Sequence, residues 1–149
     1  MTEIRPISAD DHAAWLPLWE AYLKFYEADL PDEVTADVFE RLTADADLHG
    51  AIAWDQDGTA LGLVHWLFHP STWSRSRYCY LEDLYVSPAA RGLGVGAGLI
   101  AHVESQARSA GAEKVYWLTH ETNATAQSLY DRVASRTGFT HYEISARPS

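Results

Sequence analysis

Residues 91–98 read RGLGVGAG, which sets four of the chain's nine glycines into seven consecutive positions. Leu99, Ile100, Val103 and Ala107 follow at helical spacing, and Gly111 suits the cap that ends such a helix. Glycine inside a helix costs roughly 0.5–1 kcal/mol relative to alanine, so glycines at the head of a good helix ask for a compensating use. Just upstream lies YCYLEDLYV, a run rich in β-formers, joined to the glycines by SPAAR. A strand, a short loop and glycines opening a helix aim free N–H groups at one point, where the helix dipole adds positive potential. That arrangement suits a pyrophosphate. Each amide bond to a charged acceptor contributes roughly 1.5–3 kcal/mol, so two or three exceed the cost of the glycines. Close packing of the helix on a sheet would account for one or two of them.

Two other phosphate-binding patterns fit less well. Gly92, Gly94 and Ala97 satisfy G-x-G-x-x-G/A, but that fingerprint wants its first glycine hard against a strand and more chain after it. No Lys-Ser or Lys-Thr closes the run as a P-loop requires.

Outward from the glycines, the pattern predicts an α/β (α+β) fold with a mixed central sheet flanked by helices, in the order β-α-α-β-β-β-α-β-α-β. EIRPI begins it as a strand. Ser8 is a helix N-cap with Asp10 and Asp11 in the first turn, and Trp15, Leu18, Trp19, Tyr22, Phe25 and Tyr26 form an aromatic stripe at helical spacing. Pro17 inside that stripe predicts a bend or a restart. A second helix starts at Pro31, and HGAIAWD and ALGLVHWLF flank Gln56-Asp57-Gly58, a hairpin turn. KVYWLTH reads as a strand, NATAQSLYDRVASRTG as a helix and FTHYEI as a last strand. The chain of 149 residues is expected to form one domain, 1–149.

Twenty-one acidic against eleven basic residues give a net charge of −10. Such a chain repels phosphate backbones and attracts cations, so nucleic acid is excluded as a partner and a protonated amine fits. No apolar run approaches the ~18–20 residues of a membrane span, which excludes a membrane role. MTEIRPISADD lacks the basic-then-apolar pattern of a secretory signal. A single cysteine, Cys79, forms no internal disulfide and reads as a small buried hydrophobe. Together these features place the chain in the cytoplasm. His65 and His69 have no carboxylate or cysteine at ligand spacing, so no metal site is expected, and they read as strand-surface or acceptor-pocket residues.

YLEDLYVSPAARGLGVGAGL, residues 80–99, resembles the acetyl-CoA-binding segment of the GNAT superfamily of N-acetyltransferases. Arg91, Gly94 and Gly96 match its R/Q-x-x-G-x-G/A signature, and Asn123, Ala126, Leu129 and Tyr130 match its next motif. Within the superfamily the stretch is especially similar to the spermidine/spermine (diamine) N-acetyltransferase group. One departure stands out. Seven residues, DRVASRT, separate Tyr130 from Gly138-Phe139, where the family commonly has three. The four extra residues, about one helical turn, predict a longer helix with its face preserved.

The resemblance implies direct transfer of acetyl from acetyl-CoA to a primary amine of a small cationic acceptor, a polyamine or diamine-like amino acid, by a homodimer. It implies that the backbone of Leu84, Tyr85 and Val86 pairs with the pantetheine arm. Amides from Arg91, Gly92, Leu93, Gly94, Val95, Gly96 and Ala97 then hold the pyrophosphate, with Asn123 and Ala126 also at the cofactor. A primary amine titrates near pH 10, so a base or a water relay must take its proton. Glu82 stands in the family's base position. Strand alternation sets it opposite Leu81 and Asp83, and a carboxylate in an apolar strand is costly unless used or paired. Asp83 is the reserve base or a substrate contact, and His120, at the end of a strand, a second base. Tyr130 stands in the general-acid position for the departing thiolate. Glu27 and Asp29, between the first two helices, either read a cationic chain or form a solvated acidic turn. A lysine or N-terminal amine on a protein is the alternative acceptor, and a non-catalytic acyl-CoA-binding module the alternative class.

Overall fold

The computed structural model describes residues 2–148. Contacts group the chain into two compact units, one on either side of the Trp117–Leu118 bond.

The first unit is built on a five-stranded sheet whose strands lie in chain order. Strand β1 spans Glu3–Pro6, β2 His49–Trp54, β3 Ala60–Pro70, β4 Arg77–Val86 and β5 Lys114–Tyr116. The first four pair antiparallel and β4 pairs with β5 in parallel, so the sheet is mixed. Helices α1 (His12–Phe25) and α2 (Asp32–Ala44) link β1 to β2, and α3 (Val95–Ser109) makes the crossover that a parallel neighbour needs.

Strand β3 shows which face each helix covers. Consecutive strand residues point to opposite faces. His65 meets Trp15 of α1 whereas Trp66 meets His102 of α3, so α1 and α3 cover opposite faces. On the α1 side Ile7, Trp15, Leu42, Ile52 and Leu63 close a core. On the other, α3 buries Leu99, Ile100, Val103 and Ala107, the stripe its spacing predicted, together with Val95. Cys79 is buried as expected, and loss of hydration raises its thiol pKa to about 11.

Several local signals operate as their chemistry dictates. The Ser8 N–H and hydroxyl both donate to the Asp11 carboxylate, at 2.8 and 3.1 Å, fixing the entry to α1. In the β2–β3 turn Asp55 Oδ1 accepts from the N–H groups of Asp57 and Thr59, at 2.9 Å each. At the end of α3, Gly111 N–H bonds Arg108 C=O and Ala112 N–H bonds Ala107 C=O, the paired closure of a Schellman cap.

Other expectations are corrected. Helix α1 runs unbroken through Pro17. Helix α2 begins at Asp32, with Pro31 preceding it and Asp32 and Glu33 in its first turn, where their charges suit the dipole. Strand β5 covers only the first three residues of KVYWLTH, because its partner β4 is bulged at Glu82, just past the last pair, Tyr80 with Tyr116. A bulge bends its strand away from a straight neighbour.

The second unit holds α4 (Ala124–Val133), capped by Asn123, whose side-chain oxygen accepts from Ala126 N–H at 3.2 Å. The helix ends three residues past Tyr130, so the extra residues of DRVASRT lie beyond it instead of lengthening it by a turn. Residues 135–148 form neither helix nor strand. The strand expected over 139–144 is therefore not formed. Phe139, Tyr142 and Ile144 are 87%, 89% and 96% exposed, and an extended segment without a neighbour has no ladder to join.

Candidate active site

The site in the first unit begins with a fault in a ladder. β3 and β4 pair His65 with Asp83 but Trp66 with Leu81, leaving Glu82 as the extra residue of a β-bulge. Strict alternation set Glu82 opposite both Leu81 and Asp83. The bulge changes this. Because His65 and Trp66 face opposite sides, so do Asp83 and Leu81. Tyr80 pairs with Leu67, on the His65 side, and its hydroxyl donates to the Glu82 carboxylate. Tyr80, Glu82 and Asp83 thus share the α1 face of the sheet, and two carboxylates stand side by side.

The electrostatics follow. Glu82 reaches solvent, yet partial loss of hydration first, and the Asp83 charge second, raise its pKa above the usual carboxylate value, against the Tyr80 bond. A raised pKa makes a carboxylate a better proton acceptor near neutrality. Burial first and the nearby carboxylates second raise the pKa of Tyr80 and Tyr22, so both phenols remain donors. Tyr22 of α1 donates to Asp83. Among the described residues no lysine or arginine forms an ion pair with either carboxylate.

Aromatic rings border the acids. Tyr80 lies 5.0 Å from Tyr116 between centroids, and the Tyr116 hydroxyl lies 2.7 Å from His69 Nε2. His69 Nδ1 lies 2.8 Å from the Pro70 carbonyl, which accepts only, so Nδ1 carries the proton and Nε2 accepts from Tyr116. Tyr22 entered the sequence reading as a member of the aromatic stripe; Tyr80 and Tyr116 were not singled out. The signal for Tyr80 was its place two residues before Glu82 on a strand; nothing local marks Tyr116.

Beyond Tyr80 the outer edge of β4 is left open by β5, and Leu81–Val86 keep only β3 as a sheet neighbour. Leu84, Tyr85 and Val86 lie on that open edge. After it, Gly92 and Gly94 adopt φ of +81° and +79°, left-handed values that side chains with a Cβ rarely take. Space around both is open, with nothing within 4 Å of where a Cβ would stand. Gly94 is the N-cap of α3. The first bond inside this end runs from Gly98 N–H to Gly94 C=O, so the amides of Val95, Gly96 and Ala97 precede any helical partner. At Gly98 a Cβ would stand 3.5 Å from Ile4, an ordinary van der Waals contact that does not require glycine. Gly92 and Gly94 thus serve backbone shape at the loop. An open edge and amides that precede any helical partner fit the pantetheine and pyrophosphate of coenzyme A.

The remaining expected residues belong to other segments of the chain. Glu27 and Asp29 are exposed in the α1–α2 connection, with Glu27 at φ +53°. His120 is exposed four residues past the end of β5, not at a strand end, and its Nδ1 lies 2.7 Å from the Thr122 hydroxyl. In the second unit Asn123 uses its side-chain oxygen as a helix cap, and Tyr130 lies in the last turn of α4.

The chain matches the Acetyltransferase (GNAT) family over residues 15–134. It belongs to that family. It is an acetyl-CoA-dependent N-acetyltransferase acting on amines. The D-amino-acid N-acetyltransferase HPA3 of Saccharomyces cerevisiae is 38% identical over 94% of this chain and 88% of its own length. The thialysine N-epsilon-acetyltransferase of Bos taurus is 31% identical, over 61% of this chain and 53% of its own length. Among solved structures, the aminoglycoside N-acetyltransferase AAC(6')-Iy in complex with a CoA-linked bisubstrate analogue shares the fold. Its TM-score is 0.86 at 20% identity, over 99% of both chains. No helix among the described residues is long and apolar enough to cross a membrane.

Proposed function

We propose that this acetyltransferase acts on the primary amine of a small cationic acceptor, diamine-like in the manner of a polyamine or a basic amino acid. The observation that carries this is the side-by-side placement of Glu82 and Asp83 on an aromatic-bordered face where, among the described residues, no lysine or arginine pairs with either carboxylate. Two carboxylates held there favour a positive charge from outside, and the ring of Tyr80 favours a cation over its face. The net charge of −10 draws cations toward the protein at longer range. The similarity to a thialysine N-epsilon-acetyltransferase supports a side-chain amine.

Bound acetyl-CoA supplies an activated thioester that an amine can attack directly. The chain's part is to hold it and to move protons. The open edge at Leu84–Val86 and the amides ahead of α3 hold the coenzyme, with Asn123 and Ala126 contributing from the start of α4. Glu82, with its raised pKa, takes the ammonium proton directly or through water. Asp83 receives the charge of the acceptor. Tyr130, on its motif position, supplies a proton on the leaving-group side. Replacing Tyr130 by Phe is expected to lower kcat about 10²-fold with the KM for acetyl-CoA little changed, measured by free-thiol release. We place the enzyme in the cytoplasm, as one catalytic domain that works as a homodimer.

A second reading has its own support. The 38% identity to a D-amino-acid N-acetyltransferase favours an α-amine. A panel of spermidine, thialysine, neutral D-amino acids, a lysine peptide, and aromatic and anionic amines separates them when free thiol is followed. Turnover concentrated on spermidine and thialysine supports the first reading; neutral D-amino acids at equal rates support the second. Turnover confined to aromatic or anionic amines removes both.

A further inference from the structure

His65 is 5% exposed, inside the apolar run of β3. The Trp15 Nε1 atom lies 3.0 Å from its Nε2, and Asp83 Oδ2 lies 2.9 Å from its Nδ1. An indole N–H can only donate, so Nε2 must be the acceptor and carries no proton. A neutral imidazole then holds its one proton on Nδ1, where it donates to Asp83. The chemistry of the indole alone fixes this tautomer. Protonating His65 would set a second N–H against the indole N–H across 3.0 Å, two donors with no acceptor, in a buried position. The close approach of His65 to Asp83 is therefore a hydrogen bond from a neutral donor and not an ion pair. Tyr22 supplies a second neutral donor to the same carboxylate.

We infer that Trp15 and His65 are positioning residues of this acetyltransferase: the indole fixes the tautomer of His65, and the fixed ring holds the Asp83 carboxylate in one direction toward the incoming amine. The inference rests on the reading of Asp83 as the group that receives a cationic acceptor. Without the indole donor the single proton is free to sit on either ring nitrogen, and the tautomer protonated on Nε2 leaves Asp83 without its donor. Trp19 also packs its ring on His65, at 5.3 Å, without adding a charge. The titratable groups near His65 are Asp83 and Glu82 of β4 and, through Asp83, Tyr22 of α1; β2 presents Gly50 across the ladder.

The wild-type enzyme, labelled with ¹⁵N in its imidazoles and assigned by the loss of one signal in His65→Gln, reads the tautomer without any substrate. His65 is expected to show its proton on Nδ1. In Trp15→Phe, which keeps a ring but lacks the donor, a signal for the tautomer protonated on Nε2 is expected beside it. The KM for spermidine or thialysine then rises about tenfold, the size of a weak charged hydrogen bond, with kcat and the Kd for coenzyme A little changed. The double variant Trp15→Phe with His65→Gln retains a donor to Asp83 in a side chain without tautomers, and is expected to recover most of that KM. A Trp15→Phe enzyme that keeps the Nδ1-protonated ring and loses kcat and KM together would mark a packing role and overturn the inference. So would a wild-type His65 that carries its proton on Nε2. Failure of the acceptor reading leaves a different mark: an Nδ1-protonated His65 in the spectrum with turnover indifferent to acceptor charge.

Discussion

Replacement of Glu82 by Gln is expected to lower kcat about 10³-fold, with the Kd for coenzyme A within a factor of about two of wild type. Glutamine preserves the shape and can still accept a hydrogen bond from Tyr80, but it cannot take a proton. The pH profile carries the sharper signature. Transfer requires Glu82 deprotonated, so kcat/KM falls as pH is lowered through its pKa. That pKa is raised above the ordinary 4.5 by lost hydration and by Asp83, so the acid limb lies above that value. In Glu82→Gln the limb should vanish and leave a low, flat rate. Asp83→Asn makes the contrast. Removing the neighbouring charge lets the Glu82 pKa drop, shifting the limb to lower pH, while the KM for a cationic acceptor rises. Steady-state kinetics by thiol release, paired with calorimetry on coenzyme A, check every part of this. A Glu82→Gln enzyme with near-normal kcat would move the base elsewhere.

The difference between Glu82 and its neighbour also marks where the sequence is legible and where it is not. Helix identities follow from periodicity, since burial imposes a period of 3.6 on α1–α3, whereas β2 and β3 are buried on both faces and read as continuous apolar runs on either side of a turn signal. The glycine cluster was legible because backbone that must turn left-handed or approach a ligand needs residues without a Cβ. What periodicity cannot carry is a break in itself. The bulge at Glu82 is one residue long, leaves the composition of YLEDLYV unchanged, and reverses the side on which Glu82 stands relative to Asp83. Contacts across the chain are hidden in the same way. The stripe holding Trp15 reads as core and His65 as a lone polar residue on a strand, and only the fold brings them to 3.0 Å. A buried histidine in LVHWLF does signal that some partner must exist, but not which. FTHYEI failed for the opposite reason. Its alternation is that of a strand, but pairing requires a neighbour that no local pattern supplies.

Gly94→Val is expected to raise the KM for acetyl-CoA by 10²–10³-fold, with kcat at saturating coenzyme far less affected. Gly94 holds φ at +79° as the N-cap of α3. A β-branched residue there costs roughly 1–2 kcal/mol or more in the left-handed region. The chain escapes that cost by rotating the peptide, which turns the amides of Val95–Ala97 away from their common focus. Losing one or two amide bonds to a charged group, each roughly 1.5–3 kcal/mol, yields the rest of the effect. Because nothing in the protein lies within 4 Å of a Cβ at this position, the loss of thermal stability should be confined to that backbone strain, about 1–2 kcal/mol. Gly94→Asn distinguishes shape from room. Asparagine enters the left-handed region more readily than other side chains, so it should keep acetyl-CoA binding within about tenfold of wild type if the dihedral angle is what matters. If Asn and Val are equally damaging, the space beside Gly94 is filled by the coenzyme itself, and close approach to the backbone becomes the reason for the glycine. Calorimetry of coenzyme A with the two variants decides between these uses of a residue that has no side chain.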